Sequence, residues 1–74
     1  MKTLAQLKPG QSARLVRIHG TAALQLRLME LGFTPGVQLL LRKTAPLGDP
    51  LEIALRGYSL SLRRSHAALI EVAI

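Results

Sequence analysis

Six glycines and four prolines, at Pro9-Gly10, Gly20, Gly32 through Gly36, Pro46 through Pro50 and Gly57, cut this chain into short segments. Neither residue sits comfortably inside a helix or a central strand, because proline lacks an N–H and glycine loses the most backbone freedom on ordering. Short segments bounded in this way favour a small all-β or α+β unit. At 74 residues the chain is expected to form one domain, spanning residues 1–74. A chain this short buries only about 60% of its unfolded surface, so its stability margin is thin. With 49% apolar and 19% charged residues the composition is nevertheless that of a globular protein.

The segments read as follows. Ser12 to Ile18 is a first strand whose alternation slips at Leu15-Val16, where a bulge restores the phase. Thr21 caps a helix over Ala22 to Leu31, with Leu24, Leu28 and Leu31 at helical spacing and Arg27 and Glu30 as a surface pair. Gly32 ends that helix and Pro35 prevents it from resuming. Val37 to Thr44 is a second strand with Val37, Leu39 and Leu41 on one face, and Leu40 on the other suggests that part of that side is covered too. Leu51, Ile53 and Leu55 mark a third strand, and Tyr58, Leu60 and Leu62 a fourth, joined by a tight hairpin at Arg56-Gly57. Arg64 to Ala67 reads as a single helical turn, and Ile70, Val72 and Ile74 as a fifth strand. The expected fold is mainly β: a small SH3-like five-stranded barrel, one helix inserted after the first strand and a short helical turn before the last. Closure would remove exposed edges, and an open α+β sandwich is the alternative.

Little in the sequence supports catalysis. Neither phosphate-cradling glycine motif is present, H-E-x-x-H is absent, and Ser65-His66 are neighbours with no third group to orient them. The absence of cysteine excludes disulfides, zinc ribbons and iron–sulfur clusters. The remaining metal donors of interest are His19, His66 and Glu71, whose spacing does not require convergence. The plainer expectation is two surface histidines, with Fe(II) or Zn(II) held only weakly, between two copies of the chain, and no cofactor required.

The net charge of +6 points to an anionic partner. The basic residues are scattered, and Phe33 and Tyr58 are the only aromatics, which counts against a nucleic-acid interface. Phe33 is expected to plug the core, and Gly32-Phe33-Thr34-Pro35-Gly36 to serve the backbone rather than a ligand. In the Pro46-Leu47-Gly48-Asp49-Pro50 loop, Asp49 precedes proline and so belongs to a fixed turn. Leu47, an apolar side chain at a loop tip, is a candidate contact for a partner. The N-terminus lacks the apolar core of a signal peptide, and no apolar run exceeds four residues where a membrane-spanning helix needs about 20. The chain is expected to be soluble and cytoplasmic.

Four stretches, Leu4 to Gly10, Arg27-Leu28-Met29-Glu30-Leu31-Gly32-Phe33-Thr34-Pro35-Gly36, Ala45-Pro46-Leu47-Gly48-Asp49-Pro50, and Arg56 through Arg63, together resemble the FeoA proteins across essentially the whole chain. That resemblance implies a small cytosolic SH3-like barrel accompanying FeoB, the bacterial ferrous-iron transporter. It carries no catalytic motif. The related repressors pair such a barrel with a DNA-binding helical module, which these residues do not contain. The resulting expectation is a non-catalytic accessory that docks on the cytosolic part of a FeoB-type transporter through Leu47, Asp49 and the helix face of Gln25, Arg27 and Glu30. A position beside the membrane and self-association through Leu40 accompany it. The competing readings are a small basic nucleic-acid-binding barrel and a metal-binding dimerisation module.

Overall fold

A computed structural model describes all residues 1–74. Its elements, in order, are β1 (Lys2–Thr3), a 3₁₀ turn (Leu4–Gln6), β2 (Ser12–Ile18), α1 (Ala22–Glu30), β3 (Gln38–Thr44), β4 (Leu51–Leu55), β5 (Tyr58–Leu62), α2 (Arg64–Ala67) and β6 (Ile70–Ala73). All strand pairs are antiparallel, in the order β1-β6-β2-β3-β4-β5. The five expected strands are β2 to β6, and the sheet gains a sixth, the two-residue β1. The ladder does not close on itself: β1 and β5 remain its edges.

The predicted slip in the first strand is a β-bulge. Leu15 pairs with Val72 and Arg17 with Glu71, so Val16 is the extra residue, and Ala13 and Leu15 keep their inward direction. A second register shift in β3, between Leu41 and Lys43, bends the sheet where it meets β4. These two irregularities let six short strands curl around one core.

Helix α1 starts where Thr21 Oγ1 accepts the Leu24 N–H at 3.1 Å. It ends in a Schellman arrangement, with the Phe33 N–H donating to Leu28 O and the Gly32 N–H to Met29 O, both at 3.0 Å. Gly32 takes φ +108°, where a side chain is disfavoured. Of the expected inward stripe, Leu28 is buried and Leu24 half-buried, but Leu31 at the helix end stays exposed. Arg27 and Glu30 form no ion pair.

The core consists of sixteen apolar residues and no polar one. Phe33 is fully buried, as expected, among Leu15, Leu28, Leu39, Leu41, Leu51, Ile53 and Ile70. Leu4 and Leu7 also belong to it, so the N-terminal segment is a structural wall. That segment is tied to the body by Arg64, whose side chain donates to Ala5 O at 2.8 Å. No helix of the chain is long and apolar enough to cross a membrane.

Candidate functional site

The loop between β3 and β4 is held at several points. The Ala45 N–H donates to Pro50 O at 3.0 Å and the Gly48 N–H to Ala45 O at 2.7 Å, closing the turn on itself. Arg64 then clamps it from α2: its Nε donates to Gly48 O at 2.9 Å, while its backbone N–H donates to Asp49 Oδ1 at 3.0 Å. The Asp49-Pro50 peptide is cis. Leu47 projects from this anchored turn with 97% of its surface exposed. A lone exposed leucine is ordinary on a protein surface. An exposed leucine on a loop fixed by four hydrogen bonds is pre-organised, and a partner that binds it gains apolar burial without first ordering the loop.

The structure gives Asp49 a task inside the chain that the sequence did not indicate. Its carboxylate satisfies the first N–H of α2, so one oxygen serves the fold, although the residue remains exposed. Gln25 is similarly engaged: its side-chain amide donates to Gly20 O at 3.0 Å and holds the start of α1. Arg27 and Glu30 are exposed on α1. The sequence reading missed their apolar neighbours, Leu26 at 60% exposure and Met29 at 45%. Both fall outside the Leu24–Leu28 stripe, and that off-phase position was the available signal.

The metal-donor expectation requires a correction of geometry. His19 and Glu71 do meet, with Nε2 and Oε1 3.1 Å apart, because β2 and β6 are paired there. His66 does not join them. It lies on α2 and shares a surface hollow with Ala23, Leu24 and Arg27 of α1. No three His, Cys, Asp or Glu side chains converge anywhere in the chain. The Arg17 guanidinium also stands 3.9 Å from the same Glu71 oxygen, which places a fixed positive charge where a cation would bind. Two donors beside a guanidinium do not fit a metal held within one copy, which needs three or four ligands.

A curved antiparallel sheet with a helix inserted after its first long strand, wrapped around one apolar core, defines a small SH3-like module. The chain belongs to the FeoA domain family, whose model matches residues 2–74. It is 39% identical over 69 residues to a Porphyromonas gingivalis protein named as a fusion of Fe(2+) transport protein A with the Fe(2+) transporter FeoB; the match covers 93% of this chain and 8% of that protein. The solution structure of FeoA from Chlorobium tepidum superimposes with a TM-score of 0.92 at 38% identity, covering 99% of this chain and 70% of that one. The zinc-complexed FeoA of Stenotrophomonas maltophilia, described as a procaryotic SH3 domain protein, matches with a TM-score of 0.85 at 30% identity, covering 99% and 91%.

Proposed function

We propose that this chain is a non-catalytic accessory of ferrous-iron uptake that docks on the cytosolic part of a FeoB-type transporter. The observation that carries this reading is the Porphyromonas gingivalis relative, in which a segment like this one and the transporter share a single polypeptide. Fusion fixes two partners at high effective concentration, and separate chains need a docking surface to achieve the same end. The anchored loop with Leu47 at its tip is the first candidate, and the outer face of α1 (exposed Arg27 and Glu30 with half-buried Gln25, and Leu26 and Met29 beside them) is the second.

The surplus of six positive charges supports encounter with an acidic protein surface, or with anionic lipid beside the transporter. Iron is then the transporter's cargo, and this chain needs no resident metal to act. Self-association through the half-buried Leu40 and weak Zn(II) or Fe(II) binding between copies belong to the same reading.

The test is a pull-down of the transporter's cytosolic portion with wild-type chain and Leu47→Asp. Leu47 makes no core contact, so the variant should fold normally and bind at least about tenfold more weakly, the scale of losing one well-buried leucine contact. Equal capture by both chains would remove the loop from the interface. Restoration of ferrous-iron uptake by the wild-type chain in a deletion strain tests the accessory role itself.

A further inference from the structure

Strand β5 has a neighbour on one side only. Its direction of hydrogen bonding follows from the turn that precedes it. Arg56 and Gly57 both have positive φ, 50° and 83°, the signature of a two-residue type I′ hairpin. The pair flanking such a turn, Leu55 and Tyr58, exchanges hydrogen bonds, and alternation continues through Leu60 and Leu62 toward β4. The N–H and C=O groups of Ser59 and Ser61 therefore point away from the sheet. No turn, loop or cap hydrogen bond involves either residue, and both are exposed.

Proteins commonly guard an open edge with proline, a bulge, an inward charge or a very short strand. The other edge follows that rule, since β1 has only two residues. Strand β5 does not: it is five residues long, in regular register throughout, and contains neither charge nor proline. Its two faces differ. On the inner side stand Tyr58, whose hydroxyl donates to Leu31 O, and the half-buried Leu60, beside the exposed Leu31. On the outer side stand Ser59 and Ser61, with Arg63 continuing the row.

Charge selects the occupant. Residues 42–64 hold five Lys and Arg against two Asp and Glu, a surplus of three that is half of the chain's +6. The two carboxylates in this span are already engaged, Glu52 by Arg42 at 3.2 Å and Lys43 at 3.8 Å, and Asp49 by the Arg64 N–H. A second copy fits poorly: antiparallel pairing centred on Leu60 would set Arg63 of one copy opposite Gly57 of the other, beside its Arg56. Like charges across a strand pair are destabilising.

We propose that the β5 edge is a strand-addition site for an extended segment of a partner protein in which acidic and apolar residues alternate. The segment's backbone completes the ladder at Ser59 and Ser61, and its apolar residues lie against Tyr58, Leu60 and Leu31. Its acidic residues fall on the outer side with Arg63, since Arg56 is turned to the Tyr58 side, where it donates to Thr34 Oγ1. This site does not depend on the transporter's being the partner; its Ser61 and Arg63 share a surface hollow with Asp49 and Pro50 at the base of the Leu47 loop.

The probe is a capped synthetic hexapeptide alternating Glu and Val, titrated into the ¹⁵N-labelled full chain, with amide hydrogen exchange read at saturation. Exchange at Ser59 and Ser61 should slow by at least about tenfold. A Lys-for-Glu peptide, and a Glu peptide N-methylated on alternate backbone nitrogens in either phase, should each bind at least about tenfold more weakly in one phase or through lost charge pairing. Ser61→Pro and Arg63→Glu should weaken binding on the protein side. Unchanged exchange at both serines would overturn the proposal. So would shifts centred on α1 or on Leu47 at the loop tip, full binding by both N-methylated peptides, or sedimentation showing a β5-dependent dimer that the peptide does not dissociate. Because the N-methylated probes leave the protein untouched, the test stands even if Ser61→Pro fails to fold, and its result is independent of the transporter pull-down.

Discussion

The Asp49 carboxylate accepts the backbone N–H of Arg64 at 3.0 Å across fifteen residues of chain, and the Arg64 side chain returns to the same loop at Gly48 O. One arginine thereby joins the β3–β4 loop, α2 and, through Ala5 O, the N-terminal 3₁₀ turn. Its two side-chain bonds leave from different nitrogens of a rigid planar group, a geometry that lysine cannot reproduce. Arg64→Ala should lower stability by about 2–3 kcal/mol, since each charge-assisted bond to a carbonyl contributes roughly 1.5 kcal/mol or less once partly exposed. Arg64→Lys should recover less than half of the loss. Asp49→Asn, which keeps an acceptor oxygen, should be milder than Asp49→Ala. Urea unfolding midpoints for the four variants provide the check, and full stability of Arg64→Lys would show that charge rather than the fork matters.

His19 and Glu71 supply two donors per copy, and Arg17 stands close to the same carboxylate oxygen. Equilibrium dialysis at micromolar Zn(II) or Fe(II) should therefore find no metal retained at one ion per chain. Any retention should appear at one ion per two chains and should vanish in His19→Ala. His66→Ala should leave it unaltered if His66 serves only its hollow against α1. Tight binding at one ion per chain would contradict the two-donor geometry.

Most of the architecture was legible in the sequence because period-two alternation and Gly/Pro punctuation agree with one another. Tyr58 to Leu62 and Arg64 to Ala67 occupy the residues read for them, and the phase slip at Leu15-Val16 is a real bulge. Leu4 and Leu7 were not legible as core: three residues apart in a short polar context, they show no sustained period, and the segment is docked by tertiary features, the β1–β6 pairing and the Arg64 bond to Ala5. The edges were equally hidden, because strand order is a tertiary property. The site residues fared unevenly for the same reason. Leu47 could be suspected from a Gly/Pro-flanked leucine, whereas the internal bonds of Asp49 and Gln25 depend on groups fifteen and five residues away.

Gly32 holds the end of α1 against the β4–β5 hairpin. A Cβ there would lie 2.8 Å from Tyr58 Oη and 3.3 Å from Leu55 Cδ1, at a φ of +108°. Gly32→Ala should cost about 2–4 kcal/mol, from backbone strain and the forced displacement of Tyr58. Tyr58→Phe alone loses a hydroxyl bond to the exposed Leu31 carbonyl, worth about 0.5–1 kcal/mol. The double variant should be less damaged than the two losses added together, by about 1 kcal/mol, since Phe removes the clashing oxygen. Strict additivity in denaturant titrations would show that the strain at Gly32 lies in its backbone alone.

The bulge at Val16 offers the sharpest separation of side chain from backbone bend. Val16 is 40% exposed, so Val16→Thr should change stability by less than about 0.5 kcal/mol. Removing the residue altogether is a different operation. Because Leu15 pairs with Val72 and Arg17 with Glu71, the deletion sets consecutive residues opposite consecutive residues, with Leu15 and Ile18 still facing the core and Arg17 still beside Glu71. What the deletion removes is the bend and added twist that the bulge gives β2, by which the sheet curls around the core. The variant should therefore keep a cooperative thermal transition by circular dichroism, with its midpoint lowered by about 5–15 °C, the scale of roughly 1–2 kcal/mol in a domain of this size. A deletion variant that melts at the wild-type temperature would mean that the bend at this point is not needed to wrap the sheet, and loss of the transition altogether would mean that the fold cannot form without it.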